Sequence, residues 1–168
     1  AAEQARTVCR SVWTGDLSTF DLDAVIADHS YDTLVFGDTL EHALARADGD
    51  WRRYASGGDR AVTYLGAVDG RLAGMARGCM RGDDDAGLFA VWVAPPARRF
   101  GLGRRLVEAV VEWARRRGAS RVLLEVAADR SEPYALYARC GFAPTGVHRP
   151  NESHPDVTEL EMLYTFRD

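Results

Sequence analysis

The feature that most constrains the fold is a glycine-containing turn between an apolar segment and an amphipathic helix. Residues 88–93, LFAVWV, form an apolar run of the length of a buried strand. Two prolines follow, and then the sequence RRFGLG at residues 98–103. From Leu102 apolar residues recur at helical spacing until Gly118. The pattern predicts a strand that enters a helix through a turn in which bare backbone is required.

This turn has the properties of an anion-binding site. The first N–H groups of a helix lack intrahelical partners, and the helix dipole places about half a positive charge at that end. Arg98, Arg99, Arg104 and Arg105 surround the turn. A pyrophosphate would satisfy both the backbone and these side chains. The spacing is neither GxGxxG nor GxxxxGK[ST]. The alternative is a turn that needs glycine for geometry alone, with the arginines on a solvated face.

The remaining segments predict further strands and helices around this unit. Residues 7–13 have the alternation of a first strand, and helices are expected at residues 20–29 and from Asp38 towards Trp51. Asp69 and Gly70, between two apolar runs, predict a two-residue hairpin. Later expected elements are a loop at 81–87, a strand at 121–127, a short helix within 132–142 and a closing strand at 157–166. No strand is assigned to residues 146–156, which contain two prolines.

This order predicts one α/β domain of the α+β type over residues 1–168. A mixed sheet of about six to seven strands would be covered by helices on both faces, giving three αβα layers. The sequence shows no internal repeat or low-complexity linker that would divide the chain.

Composition restricts the classes of function. The net formal charge of −4, with 46% hydrophobic and 27% charged residues, argues against a disordered tail and a general nucleic-acid binder. The three cysteines include no CxxC pair, which argues against a zinc site or a disulfide framework. No apolar run approaches the roughly 18 to 20 residues of a membrane span, and no signal-peptide pattern opens the sequence. We therefore expect a cytoplasmic protein without a metal, a nucleic-acid partner or a membrane partner.

The turn resembles the acetyl-CoA loop of the GNAT superfamily of N-acetyltransferases. The signature of that loop is Arg or Gln, two residues, Gly, one residue, then Gly or Ala. Arg98, Gly101 and Gly103 match it. Phe100 departs from the pattern, since a small or basic residue is usual there, but the family contact at this position is made by backbone.

A second block downstream is similar to the same family. Tyr137 precedes the pair Gly141 and Phe142, as a tyrosine does in the family at the end of a short helix. Arg130 stands where the family commonly has an asparagine. Together the two blocks cover residues 88–145, and their order and separation agree with those of the family.

The resemblance implies a cofactor, a reaction and the residues that would hold them. Acetyl-CoA would be the co-substrate, and a primary amine of a small molecule or peptide would attack its thioester directly in a ternary complex. The strands at 88–93 and 121–127, fourth and fifth in the expected order, would splay apart to admit the pantetheine arm. Backbone N–H groups of Trp92 and Val93 would hold the carbonyl oxygen. Further cofactor contacts are expected from Arg98, Arg99, Phe100, Gly101, Leu102, Gly103, Arg104 and Arg130.

Tyr137 and Glu125 are the candidate catalytic side chains. By resemblance the Tyr137 hydroxyl would protonate the departing thiolate, with a pKa near 10 close enough to that of a thiol. The alternative is a tyrosine that packs under the sheet without a chemical role. Glu125, inside an apolar strand, is the in-strand candidate for a base, directly or through a water. It could equally be a solvated carboxylate that faces an edge of the sheet. Deprotonation of a weakly basic amine in bulk water would need no base. The aspartates at 83–85 are expected to form a solvated loop.

Two other functions remain open at this level. A catalytically silent acyl-CoA sensor would use the same loop for binding alone. A nucleotide-binding regulatory module would keep the phosphate site and make no use of the tyrosine block. Aminoglycoside-like antibiotics, amino acids, polyamines and protein N-termini are all compatible acceptors, and the chain could act as a monomer or a homodimer.

Overall fold

The computed structural model of the protein describes residues 59–69, 71–152 and 154–166. The described strands are β1 (Ala61–Val68), β2 (Arg71–Arg81), β3 (Asp85–Val93), β4 (Arg121–Ala127), β5 (Ala143–Pro150) and β6 (Thr158–Thr165). The described helices are α1 (Leu102–Arg116) and α2 (Ser131–Arg139), and a short 3₁₀ turn lies at Pro95–Ala97. The strand predicted at residues 7–13 and the helices predicted between residues 20 and 54 lie outside the described residues.

The described strands form one mixed sheet, as predicted. Their order is β1-β2-β3-β4-β6-β5. Only β3 and β4 pair in parallel, and α1 connects them; the other neighbouring pairs are antiparallel. The predicted hairpin is confirmed, because Val68 pairs with Arg71 across a two-residue loop. Asp69 in that loop has φ 51°, the positive value that such hairpin turns require.

Helix α1 packs one apolar face on the sheet. The helical spacing in the sequence predicted every buried residue except Val107. The buried residues are Leu102, Leu106, Val107, Val110, Trp113 and Ala114. From the sheet, Val122, Leu124 and Val126 of β4 are buried in the same core. A fully buried Leu or Val side chain contributes about 1.5 to 3 kcal/mol, so this face stabilises the helix far more than its intrinsic propensity does. Gly118, with φ 82°, follows the end of α1 as predicted.

The predicted loop at residues 81–87 is shorter than expected. Strand β2 continues to Arg81, which pairs with Asp85 of β3, so only residues 82–84 form the turn. Aspartate is disfavoured in strands, and the run of three aspartates therefore favoured a longer loop. In the structure Asp85 accepts two hydrogen bonds from Arg121 of β4, at 2.6 and 2.8 Å, which compensates for its position in a strand.

The sequence pattern predicted no strand at residues 143–150, where the structure has β5. All eight residues of β5 are exposed, so the sequence has no apolar alternation that would mark a strand. It is an edge strand, and its register with β6 shifts between Pro144 and His148. Proline is tolerated at sheet edges and irregularities, which explains how a segment rich in turn residues still pairs.

Candidate active site

Strands β3 and β4 pair over only part of their length. The register joins Asp85 to Arg121, Ala86 to Val122 and Gly87 to Leu123. In the described structure no further pair follows, although β3 continues to Val93 and β4 to Ala127. The carboxyl-terminal halves of the two strands therefore diverge and leave an opening between them. These are the two strands that were predicted to splay apart.

An irregularity in β3 accounts for the divergence. The register with β2 shifts between Met75 and Arg77. These residues are two positions apart on β2, but their partners on β3, Trp92 and Phe89, are three positions apart. Within this extra length Ala90 has φ 49°, a left-handed conformation that is uncommon for a residue other than glycine. A bulge of this kind bends its strand and increases the local twist. The bulge follows the last pair with β4 and so turns β3 away from it.

The backbone of β3 presents the N–H group of Val93 to this opening. The Ala94 N–H donates to the Ala73 carbonyl of β2 at 2.8 Å. Alternate N–H groups along an antiparallel strand point to the same side, so the Trp92 N–H also faces β2. The intervening N–H, that of Val93, faces β4. Of the two backbone groups predicted to hold the carbonyl oxygen, Val93 has the required direction and Trp92 has the opposite one.

The turn before α1 has a backbone that suits glycine and leaves room for a ligand. Gly101 is the N-cap residue and has φ 85°, in the left-handed region. A Cβ built on Gly101 would meet no atom within 4 Å. No side chain in the described structure caps this helix end. The first N–H groups of α1 therefore have no side-chain cap, and the side of Gly101 on which a Cβ would stand is open, as an anion cradle requires.

Two of the candidate arginines tie this turn to its neighbours. The Nε of Arg98 donates to the Val93 carbonyl oxygen at 2.8 Å, which connects the turn to the end of β3. Arg99 has φ 68° and a largely exposed side chain, which lies 3.6 Å from the carboxylate of Glu132 in the first turn of α2. Both arginines therefore lie at the border of the opening.

The other cofactor candidates differ in exposure and contacts. Phe100 is half exposed, whereas the Leu102 side chain is buried, so only the backbone of Leu102 can meet a ligand. Arg104 donates to Glu108, one turn further along α1, at 2.7 Å. Arg130, the N-cap residue of α2, is half-buried and lies 3.6 Å from the preceding aspartate.

Gly103 brings the two sequence blocks together. A Cβ added at Gly103 would lie 3.3 Å from Leu136 Cδ2 of α2 and 3.5 Å from Val93 Cγ2 of β3. The start of α1, the end of β3 and the middle of α2 therefore meet at this residue. Leu136 directly precedes Tyr137, so the candidate acid is on the helix that borders the turn.

Tyr137 is buried, and its hydroxyl is a weaker acid than expected. The side chain is in the core, with its ring edge against Phe142 at a centroid distance of 6.1 Å. Burial, with a smaller contribution from Cys140, raises the pKa of Tyr137 above its ordinary value. The expectation of a pKa near 10 is therefore wrong. The phenol stays protonated over the physiological range and is a persistent hydrogen-bond donor.

Glu125 is held by an arginine that the sequence analysis did not identify. Arg81 donates from Nη1 to Oε1 and from Nη2 to Oε2, both at 3.1 Å. The Arg81 guanidinium also lies 4.7 Å from the centroid of the Phe89 ring. Glu125 is thus neither a freely solvated carboxylate nor an unpaired one. The only available signal was that Arg81 alternates with Arg77 on one face of β2, and this does not reveal the partner.

The described residues contain neither a metal-binding group nor a membrane-spanning helix. Among residues 59–69, 71–152 and 154–166 no group of three or more His, Cys, Asp or Glu side chains is placed to hold a metal ion. Within the same ranges no helix has the length and apolar character needed to cross a membrane.

Sequence comparison identifies proteins that are similar to this chain. The Acetyltransferase (GNAT) family matches residues 28–142. Over 66 residues the chain is 38% identical to the ribosomal protein bS18-alanine N-acetyltransferase of Escherichia coli K12, covering 39% of this chain and 45% of that protein. Over 112 residues it is 32% identical to the mycothiol acetyltransferase of Beutenbergia cavernae, covering 66% of this chain and 36% of that protein. The chain thus spans less than half the length of these two relatives.

Solved structures share the fold. The ribosomal-protein-S18-alanine N-acetyltransferase from Escherichia coli superposes with a TM-score of 0.61 at 25% identity, covering 88% of this chain and 90% of that one. YncA from Salmonella typhimurium, solved with its cofactor acetyl-CoA, gives a TM-score of 0.69 at 18% identity and covers 94% of both chains.

Proposed function

Because the chain belongs to the acetyltransferase (GNAT) family, which matches residues 28–142, we propose that it transfers the acetyl group of acetyl-CoA to a primary amine. The observation that carries this proposal is the opening between β3 and β4, whose pairing ends at Gly87 and Leu123. A Cβ built on Gly103 would lie 3.5 Å from Val93 Cγ2, so the glycine turn lies near the wide end of that opening. An extended pantetheine arm fits there, because an unpaired strand edge can hydrogen-bond it as an added strand.

The cofactor pyrophosphate would bind at the N-terminus of α1. The uncapped N–H groups and the open space beside Gly101 favour an anion. Arg98, Arg99 and Arg104 would add charge-assisted hydrogen bonds, each of about 1.5 to 3 kcal/mol when well formed. Arg104 would have to leave Glu108, but an exposed pair of this spacing contributes only about 0.3 to 0.5 kcal/mol. The phosphate contact therefore outweighs the pair. The backbones of Phe100 and Leu102 and the side chain of Arg130 would complete the binding surface.

The chemical step would use the groups that border the opening. The neutral acceptor amine attacks the thioester carbonyl, the N–C bond forms, and the Val93 N–H stabilises the resulting oxyanion. The C–S bond then breaks and CoA leaves as a thiolate, to which the Tyr137 hydroxyl donates. The raised pKa of Tyr137 favours a hydrogen bond to sulfur over complete proton transfer. The proton released by the amine passes to Glu125, directly or through a water, and then to solvent. The thiolate takes up a proton from water, and the products are an amide and the thiol of CoA.

The acceptor amine could belong to several chemical classes. One matched relative is named as an alanine N-acetyltransferase of a ribosomal protein, and another as a mycothiol acetyltransferase. These names put a peptide that begins with alanine first among the candidates.

The experiment is a panel of amines with acetyl-CoA, with thiol release followed colorimetrically and products identified by mass spectrometry. The panel contains an alanine-starting peptide, an aminoglycoside, a free amino acid and a polyamine. We expect amine-dependent thiol release, and expect Gly101→Asp to abolish it because a negatively charged carboxylate beside the first N–H groups of α1 would repel the phosphates. Tight binding of acetyl-CoA without turnover for any amine would instead identify a silent acyl-CoA sensor. Preference for ATP over CoA would identify a nucleotide-binding module.

A further inference from the structure

The sheet face opposite α1 carries charged side chains beside the opening. Gly78 of β2 lies under α1, since a Cβ there would be 2.8 Å from Val110 Cγ1. Side chains alternate along a strand, so Arg81, three residues further, points to the other face. On β4 the buried neighbours Leu124 and Val126 point to the helix side, and Glu125 points to the face of Arg81.

Arg81 reaches Glu125 across an intervening strand. The two residues belong to β2 and β4, and β3 lies between these strands. The crossing is possible because β3 has no side chain at Gly87. A Cβ there would lie 2.7 Å from the Arg81 Nε and 2.5 Å from the Phe89 ring. Gly87 therefore leaves a passage for the guanidinium, and Phe89 lies along it.

We propose that Arg81 is a positioning residue that holds the Glu125 carboxylate beside the opening and balances its charge during acetyl transfer. The inference rests on the proposed function. Two parallel N–H···O contacts fix the plane and direction of the carboxylate, as a single contact from a flexible lysine would not. A carboxylate has about four lone-pair sites, so each oxygen can still accept from an amine or a water. Glu125 can therefore act while it stays bound to Arg81.

The charge balance favours the reactive form of the acceptor. An amine attacks only when neutral, and a carboxylate without a counter-ion would stabilise the ammonium form instead. Arg81 neutralises Glu125, so the bound amine loses its proton more readily. This arrangement favours attack at lower pH than an unpaired carboxylate would.

Other charged groups on this face are also compensated. Glu161 of β6 is the cross-strand partner of Glu125; it accepts from Thr145 at 3.0 Å and lies 3.7 Å from Arg149. Asp85 of β3, the cross-strand partner of Arg81, is bound by Arg121. The other described cation of β2 on this face, Arg77, donates to Thr63. Glu161 and Asp85 therefore both have an arginine contact.

The test compares Arg81→Met with Arg81→Lys. The probes are acetyl-CoA and the amine of the panel that gives the fastest thiol release, and kcat and KM are measured over roughly pH 6 to 10, where amines titrate. For Arg81→Met we expect kcat to fall about tenfold. The pH at half-maximal kcat should rise by about one unit, because a carboxylate without its counter-ion stabilises the ammonium form of the bound amine. KM for acetyl-CoA should be unchanged. Arg81→Lys should lower kcat but leave the pH at half-maximal kcat unchanged, since lysine retains the positive charge but loses the bidentate contact of the guanidinium.

The matched control is Arg121→Met. It removes an arginine–carboxylate contact of the same kind, to Asp85 at the closed end of the β3–β4 pair. Its pH midpoint should equal that of the wild-type protein. An unshifted midpoint in Arg81→Met, or an equal shift in Arg121→Met, overturns the inference. If Arg81→Met does not fold, wild-type kcat in Arg81→Lys overturns it.

Failure of the inference can be told from failure of the proposed function. A wild-type protein that releases no thiol with any amine overturns the proposed function and the inference with it. An active wild-type protein with kinetically normal Arg81 variants overturns the inference alone.

Discussion

At Gly101 the effect of backbone conformation on stability can be separated from the effect of side-chain packing. Gly101 has φ 85° and ψ 1°, and a Cβ built on it would contact nothing within 4 Å. A substitution there meets no neighbour, so its cost is backbone strain alone. For an L-residue the left-handed region costs about 1 to 2 kcal/mol. Asparagine tolerates this region best, and β-branched residues tolerate it least.

Gly101→Val should therefore lower the free energy of unfolding by about 2 kcal/mol, and Gly101→Asn by about half of that or less. For a chain of this size 1 kcal/mol corresponds to roughly 2 to 4 °C. The valine variant should lose about 4 to 8 °C of melting temperature and the asparagine variant about 1 to 3 °C. Valine can relieve its strain by moving the turn, which would misplace the N–H groups of α1. The dissociation constant of CoA should then rise at least about tenfold, whereas asparagine should change it by less than about threefold.

The assay is scanning calorimetry without ligand, followed by titration calorimetry with CoA. Gly146 provides the matched control, because it also has φ 85° with no atom within 4 Å of a built Cβ, but it lies in the exposed strand β5. Gly146→Val should be destabilised like Gly101→Val and bind CoA normally. Equal melting temperatures for Gly101→Val and Gly101→Asn would refute the argument from φ. Weakened CoA binding in Gly146→Val would refute the placement of the phosphate site.

Two further predictions concern the Tyr137 hydroxyl and the ion pair between Arg121 and Asp85. Tyr137→Phe keeps the buried ring and deletes the hydroxyl, so kcat should fall at least about tenfold while acetyl-CoA affinity and melting temperature stay near wild-type values; a full-speed variant would make this tyrosine structural. Arg121 holds the pKa of Asp85 below its ordinary value, so their pair stabilises the fold above the unfolded-state pKa near 3.9 and loses this effect as the pH falls through the folded-state pKa. Asp85→Asn should therefore melt about 1 to 3 °C below wild type at neutral pH, and this difference should shrink as the pH falls below about 3.9; a constant difference would contradict the assignment.

The sequence by itself determined those parts of the structure that depend on neighbours along the chain. The spacing from Leu102 predicted which face of α1 is buried, because helical periodicity relates residues three and four apart. Gly101 predicted the turn and Asp69 the hairpin, because a positive φ restricts the residues that can occupy one position. The two family blocks were also readable, and together they indicated both the fold and the cofactor.

Only the tertiary structure decided how these parts meet. The opening between β3 and β4 follows a bulge at Ala90. Alanine does not favour a positive φ, so the residue type at this position did not indicate a bulge. Strand β5 pairs as a fully exposed edge, so no apolar pattern marks it. Arg81 and Glu125 are separated by 44 positions in the chain and come together across β3 only because of the sheet order and the absence of a side chain at Gly87. Such contacts depend on strand register, and register is set by the packing of the whole sheet rather than by any local segment.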